Sequence, residues 1–289
     1  MNTLQASELI INDDGSIFHL HLQPHQIGDI IILVGDQGRV EMVSKYFDTI
    51  EHIAQNREFV SHTGTLNGKR ISALSTGIGT DNIDIVLNEL DALVNIDFQT
   101  RSIKEHHTAL QLVRLGTSGA LQADIDVDSF VLSQYGLGMD GLLNFYQLND
   151  HFNSDLRDEF IKQISWPSNF NFPYVVKASD MLFEKLSPNT KTGITATACG
   201  FYGPQGRILR LNTQIENLNE RLTDFNYGGL RITNFEMETS ALYGLSALLG
   251  HHAATVCTII ANRIKKEFSA NYKESVEKMV QQVLQQVTA

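Results

Sequence analysis

The chain has 289 residues, 42% hydrophobic and 19% charged, which is enough to bury a sizeable core. One large α/β domain over 1–289 fits that composition better than a string of modules. The formal net charge of -11 excludes a surface built for nucleic-acid backbone or anionic membrane, so any anionic ligand requires a local cluster of Arg.

Apolar runs rich in Ile and Val, bounded by Gly and Asp, alternate with helix-period segments, the pattern of an α/β domain around a central sheet. Strands are predicted over 29–34, 69–75, 111–115, 129–133, 174–177, 192–197, 230–233 and 252–260. The clearest helix covers 236–249, where Ala241, Leu242, Leu245, Leu248 and Leu249 line one face and Gly250 supplies a stop. Two more cover 81–94 and the chain after Tyr272. The polar, aperiodic stretch 95–109 reads as a surface excursion with His106 and His107 solvated. No repeat, low-complexity tract or Pro/Gly-rich linker divides the chain. Cys199 and Cys257 lack metal-ligand spacing, so neither a disulfide framework nor a metal site is expected, and both read as core residues. No leader-like apolar segment opens the sequence and no apolar run nears the ~20 residues needed to cross a bilayer, which points to the cytoplasm.

Four constellations carry candidate chemistry. Gly35-Asp36-Gln37-Gly38-Arg39 follows an apolar strand, where backbone N–H groups and a guanidinium make an anion site. Arg114-Leu115-Gly116-Thr117-Ser118-Gly119-Ala120 follows the expected end of another strand, the place where α/β proteins put ligands. Phe201-Tyr202-Gly203-Pro204-Gln205-Gly206-Arg207 joins an aromatic face to amide and guanidinium groups able to read the O2, N3 and O4 edge of uracil. Glu238, in Glu236-Met237-Glu238, could accept from both hydroxyls of a ribose diol. Each also has a plainer reading: a turn, a surface ion pair, a Gly-Pro loop, or acids favoured at a helix start by the macrodipole, which suffices for Glu236. Two Arg/Gly clusters at strand ends are harder to dismiss together than either alone.

Taken in order, these segments resemble the hexameric nucleoside phosphorylase family, nearest its uridine-cleaving branch. Phe18-His19-Leu20, Arg57-Glu58-Phe59, Ser75-Thr76-Gly77-Ile78-Gly79 and Asn262-Arg263 extend the match over nearly the whole chain. The resemblance implies a central mixed, twisted β-sheet or distorted barrel flanked by helices. It implies reversible phosphorolysis of uridine, with deoxyuridine and thymidine as further candidates, to uracil and pentose 1-phosphate. Phosphate would be held by Gly35, Arg39, Arg114 and Thr117, with Arg57 from a neighbouring subunit. Ribose would be held by Met237 and Glu238, with His19 from that neighbour. The base would be bounded by Phe201 and read by Gln205, Arg207 and Arg263, and Arg207, Gln205 and Glu238 would carry the catalysis. Inorganic phosphate is then co-substrate, no cofactor or metal is required, and a monovalent cation near Glu58, Ile78 and Asn82 is an option. The expected assembly is a homo-oligomer, a dimer at least and a hexamer by resemblance, with no nucleic-acid or membrane partner.

Purine phosphorolysis, hydrolysis by water and silent nucleoside binding stay open as alternatives. Purine members carry an Asp near 258–263, where this chain has no carboxylate. Retention of Arg39, Arg57 and Arg114 suits phosphate rather than water as nucleophile. The chain departs from the family pattern at Gln37 in place of Pro, at the reversed Gly203-Pro204 order, and in a loop before Arg114 longer by about ten residues, a length surface loops tolerate.

Overall fold

In the computed structural model, which describes residues 3–148 and 150–289, the first Ile/Val run forms a strand buried along its whole length, β1 (Ile30–Val34). A continuous apolar run without alternation needs cover on both faces. The chain continues through α1 (Gly38–Ser44), β2 (Thr49–Asn56), β3 (Phe59–Leu66), β4 (Lys69–Ser75) and α2 (Thr80–Asn95). Next come β5 (Ile96–Asp97), β6 (Ser102–Ile103), β7 (Gln111–Ala120), β8 (Phe130–Gly138), α3 (Ser154–Ile164), β9 (Tyr174–Lys177), α4 (Asp180–Leu186) and β10 (Lys191–Thr197). The last third holds α5 (Leu218–Asp224), β11 (Asn226–Tyr227), β12 (Leu230–Glu236), α6 (Thr239–Leu249), β13 (His252–Asn262), β14 (Glu267–Phe268) and α7 (Tyr272–Thr288).

Strands β7, β13, β8, β10 and β12 are paired in that order, and β12 returns to β7 through Asn234–Ala120 and Phe235–Gly119. That last pairing closes a five-stranded mixed barrel, from which β1, β4, β3 and β2 run out as an open sheet. The expected sheet or distorted barrel is both at once. Core residues cover the sheet on two sides: α2 and α6 pack Val86, Leu90, Leu242 and Leu245 on one, and α7 packs Val276, Met279, Val280 and Val283 on the other. Among the described residues no helix is long and apolar enough to cross a membrane.

Several expectations need correction. The strand expected to stop at residue 115 runs on to Ala120. Its glycines read as a loop, but Gly116 marks close approach: a Cβ there would lie 2.9 Å from Cys257 Sγ and 3.1 Å from Arg114 Nη1. Likewise β8 extends past residue 133 to Gly138, and β12 past 233 to Glu236. The helix expected from 236 therefore starts at Thr239, and it is buried on every side from Thr239 to Ser246 rather than along one face, because it lies between the barrel and α2. The β2–β3 hairpin was not legible, since edge strand β2 is largely exposed and carries no apolar run. The excursion at 95–109 contains the small β5–β6 ribbon, and His107, though exposed, stacks on His251 at 5.7 Å. Cys257 is a core residue as expected; Cys199 is exposed.

Gly138 offers a test of this packing. An added Cβ would sit 2.2 Å from the Tyr174 ring, which is 2% exposed and cannot step aside. Gly138→Ala is expected to cost about 2 kcal/mol through overpacking, and calorimetry should show Tm lowered by several degrees; an unchanged Tm would mean that the ring has room to move.

Candidate active site

Arg114 lies in the middle of β7, 4% exposed. Its Nη2 donates to Glu238 Oε2 in a buried ion pair. Its Nε and Nη1 have no hydrogen-bond partner among the described residues, and donors left so in a protein interior are uncommon and costly unless a ligand takes them. Burial opposes the charge, but Glu238 and then Glu236 outweigh it and raise the Arg114 pKa. A side chain at Gly35 would come within 3.6 Å of Gly77 O and 3.9 Å of Arg114 Nη2, so the loop after β1 reaches this guanidinium. Arg39, in the first turn of α1, is close enough to matter: burial and then the Arg114 charge lower its pKa. Here is the local basic cluster that an acidic chain needs in order to hold an anion. Thr117 stands three residues further along β7, half-buried and paired with Thr258. No hydrogen bond among the described residues ties it to the Arg114–Glu238 pair.

Glu238 stands at the break between β12 and α6. Its Oε1 accepts from Gly79 N–H at 2.9 Å and its Oε2 from Met237 N–H at 3.3 Å. Gly79 is the N-cap of α2, so the carboxylate sits at the positive end of a helix dipole. Glu236, set aside in the sequence as an ordinary helix-start acid, does cap α6: its oxygens accept from Glu238 N–H and Thr239 N–H, both at 2.9 Å. It also accepts from the Thr197 hydroxyl at 2.7 Å. It is nevertheless the last residue of a buried strand, 5% exposed, and burial followed by the Glu238 charge pushes its pKa up to about 7. The donors around it favour the carboxylate, but desolvation and the second acid win. The sequence signal that could have found it is two carboxylates, two residues apart, at a strand-to-helix junction.

The base-loop residues come together. Gln205, 3% exposed, lies in a single helical turn with its Oε1 held by Arg207 Nη1 at 2.6 Å and Arg263 Nη2 at 3.0 Å. Arg263 Nη1 also donates to Gln205 O at 2.7 Å. With both lone pairs of the carbonyl engaged, the amide nitrogen is what Gln205 can offer a ligand. Arg207 lies 3.7 Å from the centroid of the Phe201 ring and covers one face of it. Burial and then Arg207 bring the Arg263 pKa down to about 10.

His19 and Arg57 fall elsewhere. His19 Nδ1 lies 2.6 Å from Glu89 Oε1, and Arg57 is 5.7 Å from the Phe18 ring, in the β2–β3 turn with φ 52°. Their partners are Glu89 and Phe18 rather than Arg114 or Glu238. Gln37, the departure in the first loop, donates to Arg57 O at 2.6 Å and ties that loop to the hairpin. Glu58 and Asn82 flank Gly77, and Ile78 beside them is exposed.

Asp91, His107 and His251 place possible metal-ligand atoms within 4.8 Å of one another. His251 Nδ1, however, accepts from Leu110 N–H at 3.2 Å, which leaves the ring proton on Nε2 facing Asp91 at 3.3 Å. That nitrogen has no lone pair to give.

The family model described as "Phosphorylase superfamily" matches residues 29–289. The chain is 29% identical over 264 residues to a uridine phosphorylase of Thermococcus kodakarensis, covering 91% of this chain and 84% of that one. It is 30% identical over 242 residues to a DeoD-type purine nucleoside phosphorylase of Geobacillus stearothermophilus, covering 83% and 85%. Among solved structures it matches a Trypanosoma brucei nucleoside phosphorylase described as showing uridine phosphorylase activity. That match has a TM-score of 0.88 and 28% identity, and covers 97% of this chain and 100% of the other.

The Glu236 pair yields a pH prediction. The unfolded chain releases this proton near the ordinary 4.5 and the folded chain near 7, so stability falls as pH rises through that window. Glu236→Gln cannot ionise. The Tm of the wild type minus that of Glu236→Gln should therefore be higher at pH 5 than above pH 7, by up to about 3 kcal/mol in stability; equal differences would show that Glu236 titrates alike in both states.

Proposed function

The chain belongs to the phosphorylase superfamily, and we propose that it is a uridine phosphorylase, a pentosyltransferase that splits uridine with inorganic phosphate to uracil and ribose 1-phosphate. The observation that carries the pyrimidine reading is the base-side clamp, in which buried Gln205 is fixed by Arg207 and Arg263. A purine reading would need a side chain for N7 near 258–263. The residue closest in character is Asn262, and its amide is fully used: it donates to Gln122 O and Ile125 O and accepts from Ile264 N–H and Lys265 N–H.

In this reading Gly35, Arg39, Arg114 and Thr117 hold phosphate, with the free Nε and Nη1 donors of Arg114 directed to its oxygens. Met237 and Glu238 hold the ribose, Glu238 on the 2′ and 3′ hydroxyls. Phosphate lies beneath C1′, stabilises the oxocarbenium ion as the bond to N1 lengthens, then forms the new C–O bond. The bonding electrons leave with uracil, whose anion is met by Gln205 Nε2 and Arg207. Pre-positioned donors at a developing charge are worth about 3 kcal/mol each. His19 and Arg57 reach a neighbour's pocket, which makes a dimer the minimum unit and a hexamer the full assembly. A monovalent cation between subunits would sit by Glu58, Ile78 and Asn82. Inorganic phosphate is the co-substrate, no other cofactor is used, and the cellular role is pyrimidine nucleoside salvage in the cytoplasm, with deoxyuridine and thymidine as further substrates.

Uracil release from uridine should require phosphate and yield ribose 1-phosphate, while inosine is left intact. Release without phosphate would make the enzyme a hydrolase, and cleavage of inosine alone would overturn the pyrimidine reading. Arg207→Ala is expected to lower kcat about 100-fold; unchanged kinetics would remove Arg207 from the leaving-group role. Arg114→Ala should raise the phosphate KM and lower kcat together, because one anion is both nucleophile and electrostatic partner, and an unchanged phosphate KM would count against the assignment.

A further inference from the structure

A cavity of 420 Å³ lies behind the base loop, bounded by Gly203 and Pro204 on one side and by Trp166 and Phe170 on another. Its floor is apolar and buried, formed by Met139, Ala198, Ile215 and Leu218. Arg114, Gln205, Arg207, Glu238 and Arg263 do not line it, so it is separate from the site described above. Its lining has no charged side chain: the polar side-chain groups are carboxamides, the Thr213 hydroxyl, the Cys199 thiol and the Trp166 indole N–H. Trp166 and Phe170 meet edge to face at 5.5 Å and form an aromatic corner, with Trp166 Nε1 donating to Asn171 O at 2.8 Å. The Asn212 and Gln214 amides make no hydrogen bond among the described residues, and each offers a donor and an acceptor.

An apolar floor, an aromatic corner and uncharged amides in a space of this size suit a neutral planar heterocycle and offer nothing to a phosphate or carboxylate. We propose that this cavity is a second binding site, for a free nucleobase, and that an occupant braces Gly203 and Pro204 and so restrains the neighbouring Gln205. The choice of uracil as probe rests on the reaction proposed above; the cavity itself does not.

Cys199 supplies a readout, since it is exposed on the cavity wall while Cys257 is fully buried. Iodoacetamide at mildly alkaline pH, needed because partial desolvation at the cavity wall raises the pKa of the Cys199 thiol, should label Cys199 alone in the folded chain. Saturating uracil is expected to slow this labelling several-fold, and equally in Gln205→Ala, whose base-reading site is disabled. No protection in the wild type, or protection lost in Gln205→Ala, would overturn the proposal. Equilibrium dialysis with labelled uracil gives a second measure: two molecules per wild-type chain, and one after Cys199→Trp fills the cavity. One molecule in both chains, or two in both, would overturn it. Assaying phosphorolysis on the same wild-type sample keeps the two readings apart, because an active enzyme that binds one uracil loses the second site but keeps its reaction.

Discussion

A guanidinium buried in the middle of a strand has to be matched, and in this protein Arg114 is matched by Glu238. The desolvation of two charges is repaid only where the geometry is good and the remaining donors and acceptors find partners. Glu238 meets that condition through backbone N–H groups from Gly79 and Met237. Arg114 does not, because Nε and Nη1 stay without partners. The pair is thus tied down on the carboxylate side and open on the cationic side.

Much of the architecture serves that pair. Arg114 belongs to β7 and Glu238 stands two residues past the end of β12, and these two strands are the ones that meet to close the barrel. Closure fixes the separation of the two side chains across sheet hydrogen bonds, and the N-terminus of α2 comes to Glu238 from outside the barrel. Glu236 fastens the junction from behind by accepting the first backbone N–H groups of α6. Glu236 is itself buried, and that desolvation, with the nearby Glu238 charge second, raises its pKa.

The base side works by a different balance. Two guanidiniums converge on one amide carbonyl, which concentrates positive charge beside the buried Gln205. Arg207 also rests on one face of Phe201, so a base stacking on that ring has the other face available or displaces the guanidinium. The loop around them is mostly irregular and exposed.

How much of this the sequence determined depends on how local each feature is. The uninterrupted Ile/Val run identifies β1, a strand buried along its whole length, and the apolar stretch through Val256, Ile259 and Ile260 identifies β13. The Gly35-to-Arg39 and Phe201-to-Arg207 segments also stand out, because Gly and Pro constrain the backbone wherever they occur. The ends of β7 and β8 were illegible for the same reason: glycine in a strand and glycine in a loop look alike until a neighbour such as Cys257 Sγ or Tyr174 shows why a side chain is excluded. Tertiary structure alone decided that Glu236 is a buried partner of Glu238 rather than a solvated helix start, that Cys199 is exposed, and that Arg114 and Glu238, 124 residues apart, form one ion pair. Those are facts of proximity and solvent exclusion, which barrel closure creates and local sequence does not encode.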